Sequence, residues 1–187
     1  MKRYMCAVAL GLLATLGGCL EADEGDIRKG VVDYLRDAKF CVDLGLRKED
    51  KRFWVNLEKD DGERARVLQA ERLIEIGPKE KSSIMYKEWA WITILDSLKP
   101  FLDPYDRTCF GGGELVSLEE YTTPGTDVQG RRVTTVTFVY RIVNLPEWAH
   151  RSSLRKAFPK LDETHSSGLK DEIKLVHTNR GWRFTPY

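Results

Sequence analysis

The chain predicts an α+β protein: a mainly helical part over residues 27–103, then an antiparallel β-sheet with one short helix over residues 104–187. Three observations carry that expectation. Apolar residues recur every three or four positions from Ile27 to Ala38, and again from Leu68 to Ile76, the period of a helix with one buried face. From Val133 to Val143 the period is two: Thr134, Val136, Phe138, Tyr140 and Ile142 alternate with Val133, Thr135, Thr137, Val139 and Arg141, as in a sheet with one wet side. Between these regions, Asp103-Pro104-Tyr105-Asp106 and Gly111-Gly112-Gly113 are rich in turn formers and mark a boundary.

Each element follows from local chemistry. Met1-Lys2-Arg3 is basic, Tyr4 to Leu16 is apolar or small, and Leu16-Gly17-Gly18-Cys19 closes the segment. A basic start, an apolar run of about a dozen residues and small residues at a cleavage point describe an export signal over residues 1–18, whereas a spanning helix needs about 20 apolar residues. Residues 19–26 are short and acidic, a tether to the fold. The first helix uses Ile27, Val31, Tyr34, Leu35 and Ala38 and ends near Cys41. Gly45 and the alternating-sign run Arg47-Lys48-Glu49-Asp50-Lys51-Arg52 read as a solvated connector, and residues 53–57 as a short strand. Asp60-Asp61-Gly62-Glu63 opens a second helix with acids in its first turn, where the helix dipole favours them. Leu68, Ala70, Leu73, Ile74 and Ile76 line it, and Gly77-Pro78 stops it. Residues 83–95 read as two strands joined near Lys87-Glu88, with a helix as the alternative because strict alternation is poor, and Asp96 caps a short helix through Leu102, with Pro100 as the objection. This order of helix, strand, helix and hairpin makes residues 27–103 winged-helix-like. Such a shape often sets a helix into the DNA major groove. The export signal, and the absence of a basic face over residues 63–76, exclude nucleic acid as a partner.

In the second part, residues 115–123 form a strand and Thr122-Thr123-Pro124-Gly125-Thr126-Asp127 a turn. The strand over residues 133–143 ends at Leu145-Pro146. Residues 147–158 form a short helix with Trp148, Ala149 and Leu154 apolar. Residues 173–177 and 182–184 close a hairpin around Thr178-Asn179-Arg180-Gly181. No internal repeat is present.

The totals narrow the function classes. Lys and Arg number 30 against 29 Asp and Glu, and the leader removes Lys2 and Arg3, so the exported body is close to neutral. It has no global attraction to nucleic acid or to an acidic surface. Cys6 lies in the leader and Cys19 at its end, which leaves Cys41 and Cys109. Two cysteines in an oxidising compartment are expected to pair, and the alternative of a redox-active thiol lacks a CxxC spacing.

Catalytic signatures are missing. His150, His165 and His177 show no HExxH spacing, although His150 near Glu147 and His165 near Asp162 and Glu163 leave a loose metal site as the alternative to exposed side chains. Ser152 and Ser153 sit beside Arg151 and Arg155 without a spaced base, and no GxSxG or SxxK occurs. Gly111-Gly112-Gly113 reads as a hinge rather than an anion cradle. Adjacent acids on a strand point to opposite faces, so neither Glu119-Glu120 nor Asp171-Glu172 forms a glycosidase pair. No catalytic residue, metal or cofactor is expected. The aromatic count is high: Trp89, Trp91, Trp148 and Trp182 accompany Tyr86, Tyr105, Tyr121 and Tyr140. Aromatics at strand spacing read first as core fillers, and Trp148 with Arg151, Arg155 and Lys156 is the first choice for an exposed partner contact.

Cysteine directly after Leu16-Gly17-Gly18 resembles the bacterial lipoprotein signal, the lipobox. That resemblance implies that Cys19 receives a diacylglycerol, that the leader is cut before it and that the new amine is acylated. Each buried acyl methylene contributes about 0.8 kcal/mol, so two or three chains anchor a protein firmly. Leu20 after the cysteine implies the outer membrane, facing the periplasm. Further along, Cys109-Phe110-Gly111, Val136-Thr137-Phe138-Val139-Tyr140, Trp148-Ala149, Ala157-Phe158-Pro159 and Thr178-Asn179-Arg180-Gly181-Trp182 resemble a group of small bacterial lipoproteins of uncharacterised function. In that group a Cys-aromatic-Gly turn, a Tyr-containing strand, a Trp-Ala helix and a Gly-Trp terminal strand follow one another. The resemblance covers residues 109–184 and implies an exported α+β domain with no catalytic residue. The expectation is therefore a membrane-anchored, non-enzymatic binding protein with a protein partner. An inhibitor or immunity protein against a toxin or envelope hydrolase, and a hydrolase, are the alternatives.

Overall fold

A computed structural model of the chain describes residues 23–49, 52–81, 88–105 and 107–186. The export signal, Cys19, the tether up to residue 22 and most of the joint expected near Lys87-Glu88 lie outside the described residues. The elements in chain order are α1 (Glu24–Asp37), β1 (Phe40–Val42), β2 (Arg47–Glu49), β3 (Arg52–Asn56), α2 (Lys59–Ala70), β4 (Ile74–Lys81), β5 (Glu88–Ile94), β6 (Thr108–Phe110), β7 (Gly112–Tyr121), β8 (Gly125–Thr126), β9 (Arg132–Val143), α3 (Ser152–Ala157), α4 (Pro159–Glu163), β10 (Leu169–Thr178) and β11 (Gly181–Phe184). Single 3-10 turns occupy Lys99–Phe101 and Glu147–His150.

Among the described residues the chain is mostly β, with three antiparallel sheets and four short helices. This corrects the α+β expectation of a winged-helix-like helical part before a single sheet, because five strands lie where that part was expected. The physical reason sits at the end of α2. Its apolar period continues to Ile76, but Arg72 turns left-handed at φ 57°. The Leu73 N–H donates back to the Leu68 carbonyl and the Arg72 N–H to that of Gln69, each at 3.0 Å. This is a Schellman closure built on arginine instead of the usual glycine. Ile74 and Ile76 then belong to a strand, and Gly77-Pro78 falls within it, where the register with β5 shifts between Ile76 and Lys79. Proline is tolerated there because β4 is an edge strand.

Two apolar cores result. In the first, α1 lies on the sheet of order β11-β10-β9-β7, with β8 beside β9. Asp23 caps the helix by accepting from the Gly25 N–H at 3.0 Å. Ile27, Val31 and Leu35 pack on Val136, Phe138, Ile173, Leu175 and Trp182. A Cβ at Gly30 would stand 2.7 Å from the Trp182 carbonyl oxygen, so the helix rests directly on β11. The second core joins the sheet of order β2-β3-β5-β4 to α2, α3, α4 and the turn at Glu147–His150, through Val55, Leu68, Ile92, Trp148, Leu154 and Leu161. The helix expected over 147–158 is thus a 3-10 turn followed by α3. Packing does not divide the chain at residue 103: the first helix completes the second half's sheet, and helices of the second half complete the first. The join is covalent. β1 pairs with β6, Cys41 faces Cys109 and the two form a disulfide.

Two loops share a device that the sequence did not advertise. Asp103 and Asp127 each accept the backbone N–H groups two and four residues ahead through Oδ1, and the Nε–H of Arg107 or Arg131 through Oδ2, at 2.8–2.9 Å. Desolvation pushes both carboxyls up, but the backbone and arginine hydrogen bonds outweigh it and hold them below the ordinary range. Carboxylates depressed in the fold contribute stability above their unfolded pKa, and it is lost as pH falls through the folded value. The urea midpoint is therefore expected to be level above about pH 5 and to fall below about pH 4. Asp127→Asn should flatten that acid limb, and an unchanged limb would remove the loop from the explanation.

Candidate functional site

Strand periodicity turns one face of the four-stranded sheet toward α2 and leaves the other outside. Val55, Ala90, Ile92 and Ile94 are buried on the inner face. On the outer face Trp54 stands opposite Trp91, and Asn56 opposite Trp89. The three indoles form a continuous row. Trp54 and Trp89 have centroids 6.4 Å apart at 71°, and Trp89 and Trp91 are 5.0 Å apart at 86°, so ring edges meet ring faces. The Arg52 guanidinium lies 3.6 Å from the centroid of Trp91. All three rings are half-buried. Asn56 is fixed at the rim: its Oδ1 accepts the Glu58 N–H at 3.0 Å, and its Nδ2 donates to Asp61 at 3.4 Å.

The row is bordered by two hollows. Arg47, opposite Trp54 on edge strand β2, also lines a cavity of about 530 Å³ beside the disulfide. Its walls carry Lys48, Arg107 and Lys160 as well, against the single acid Asp43, and Tyr105 stands at its mouth 79% exposed. Burial pushes the Asp43 carboxyl up, but the Gly45 N–H and then the charge of Arg47 outweigh it and hold it low. Beyond Trp91 a second hollow of about 460 Å³ is bounded by Arg52, Glu75, Gly77 and Thr93. Indole faces, guanidinium donors and positive charge are the chemistry of recognition.

The residues singled out from sequence are dispersed. Cys41 and Cys109 are joined as expected, and Cys19 lies outside the described residues. Trp148 is only 4% exposed, packed edge-on between Phe101 and Phe110, so it is a core group and not the anchor of a contact surface. Its indole N–H finds no acceptor among the described residues. Arg151 is a structural clamp, donating from Nη1 to the Glu71 carbonyl and carboxylate, both at 2.9 Å. Hydrogen bonds from Ser153 and Arg151 hold the Glu71 carboxyl below its usual range. Arg155 pairs with Asp162 at 2.6 Å, and Lys156 is exposed. The expected surface is therefore taken apart: its aromatic is buried and its two arginines are engaged. Trp54, which had not been counted among the candidate aromatics, belongs to the row. Its signal was the alternation in Phe53-Trp54-Val55-Asn56-Leu57, but only the cross-strand register reveals its companions.

His150 and His165 do come together, with ring centroids 5.1 Å apart, and His165 Nε2 hydrogen-bonds the Ala149 carbonyl at 3.0 Å. His177 packs on Trp182 instead. Among the described residues, the three-member cluster of ligand-type side chains is Cys41, Asp103 and Cys109, whose sulfurs are bonded to each other. Glu119, Glu120, Asp171 and Glu172 edge one shallow cleft with Thr137 and Lys170. Glu120 and Glu172 flank Thr137 in register, so one acid from each doublet shares a face.

No protein-family model matches the chain, and comparison with curated proteins and with solved structures gives no significant match. Among the described residues no helix is long and apolar enough to cross a membrane.

Proposed function

We propose that the protein is an exported, lipid-anchored binding protein of the cell envelope, held by acylated Cys19 at the outer membrane and facing the periplasm. Its binding face is the outer side of the four-stranded sheet. The leader ending in Leu16-Gly17-Gly18-Cys19 supports the anchor, as does the resemblance to small bacterial lipoproteins. The observation that carries the binding role is the row Trp54, Trp89 and Trp91, in which Trp89 touches both of the other indoles on the side of the sheet turned away from the core. Aromatic side chains supply large contact area at low conformational cost, which is why they dominate binding surfaces.

Both halves are open to test in cells. Cys19→Ala is expected to move the full-length chain from the membrane to the soluble fraction; continued membrane retention would overturn the anchor. A photo-crosslinking amino acid placed at Trp54 is expected to yield an adduct, with a protein or with insoluble envelope material, and the same group at exposed Val128 none. Equal yields at the two positions, or no adduct at Trp54, would overturn the face.

A further inference from the structure

We infer that the ligand of this face is a carboxylate-bearing glycan strand, its sugar rings lying on Trp54 and Trp89, beside Trp91 under the Arg52 guanidinium, and its acids meeting Arg47 and Lys160. The inference rests on the reading of the outer face as a binding surface and specifies what that surface takes.

Three properties of the site converge on this chemistry. First, the indoles are half-buried and steeply inclined to one another, with polar Asn56, Glu75 and Thr93 around them. A sugar ring places C–H groups on an aromatic face while its hydroxyls reach the rim, so it needs this mixture. A protein hot spot needs a deep, desolvated apolar pocket instead. Rings recessed in a sheet also cannot reach the acyl boundary of a membrane as protruding side chains do.

Second, the charge is one-sided. The cavity beside the disulfide offers Arg47 and Lys160 against Asp43, while its Arg107 is held by Asp103 at 2.7 Å. The Arg47–Asp43 pair is 3.3 Å long with side chains 54% and 69% exposed, so little is lost when an incoming carboxylate competes for Arg47. Arginine grips a carboxylate through two parallel N–H groups, a geometry that lysine lacks.

Third, the site is elongated. Arg47 joins the cavity of about 530 Å³ to the indole row at one end, and Trp91 joins the hollow of about 460 Å³ at the other. Either hollow alone has the size of a small-ligand site. Together with the indoles between them they suit a chain.

The test uses full-length, acylated protein in detergent micelles, sedimented with purified murein sacculi as the insoluble carboxylate-bearing glycan. Wild type is expected to pellet with sacculi, less so as salt is raised. Trp89→Ala, and separately the pair Arg47→Gln with Lys160→Gln, should each weaken binding about tenfold or more. Trp89→Phe, which keeps an aromatic face, should retain most of it and so separates loss of stacking from loss of fold. Sacculi whose carboxylates have been amidated should bind weakly. Failure of wild type to pellet would overturn the inference, and so would pelleting that ignores both Trp89→Ala and amidation. A protein adduct at Trp54 without sacculus binding would sink the glycan while leaving the binding face intact. Absence of both would remove the two together.

Discussion

Loss of the Cys41–Cys109 disulfide is expected to lower the unfolding free energy by about 4 kcal/mol. The cysteines are separated by 68 positions. The loop they close contains all of the four-stranded sheet and α2, so in the chain-entropy picture the cross-link withdraws much freedom from the unfolded state. The native ladder it supports is small. β1 and β6 have three residues each; beyond the ladder Phe40 stacks on Tyr140 at 5.5 Å, and Val42 and Phe110 join the larger core, Phe110 against Trp148 at 5.3 Å. Those aromatic contacts are each of order 1 kcal/mol beyond their burial, too little to replace the bond. Urea denaturation of wild type with and without a thiol reductant, beside Cys41→Ala/Cys109→Ala, checks this. The reductant should shift wild type to the position of the double variant and leave the variant unmoved. A wild type shifted by less than about 1 kcal/mol would mean that packing alone holds the ladder.

This pairing was legible because it depended on counting. With Cys6 assigned to the expected leader and Cys19 to the expected lipid site, two cysteines remain, so no geometry was needed to match them. The strand at β9 was legible for a related reason: over twelve residues its large apolar side chains keep to one parity, and Thr134, Val136, Phe138 and Ile142 are indeed its buried positions. Legibility failed wherever the outcome depended on a partner distant in sequence. Residues 68–76 carry a helical period to the end, and only the left-handed turn at Arg72, followed by pairing with β5, converts the last of them to strand. An arginine at that position gives no warning, as glycine would have done. The candidate site was missed by the same route. Trp148 beside Arg151 and Arg155 looks like an exposed contact when read locally, yet Phe101 and Phe110 come from other elements to bury the ring. Trp54 and Trp91 lie 37 positions apart and become neighbours only through the β3–β5 register.

Phe138→Ala is expected to cost about 3–5 kcal/mol, the range for deleting a fully buried aromatic from a close-packed core. The ring is 0% exposed in the middle of β9, beneath α1, with Tyr34 edge-on at 6.3 Å and Tyr140 at 5.8 Å. Rigid strands surround it, so the space left by the ring cannot readily collapse. Where the loss is felt matters more than its size. α1 packs against β7 and β11 of this sheet, and its apolar residues belong to the core around Phe138, whereas Trp54, Trp89 and Trp91 stand on the sheet that encloses the other core. Amide hydrogen exchange should therefore quicken in α1 and β9, at Val31 and Val136 for example, well before it quickens at Val55 or Ile92. If exchange rises equally in both sheets, the two cores unfold as one unit and the disulfide transmits the damage. If it rises only in the first, α1 can loosen while the indole row keeps its shape, and the face proposed for binding stays intact.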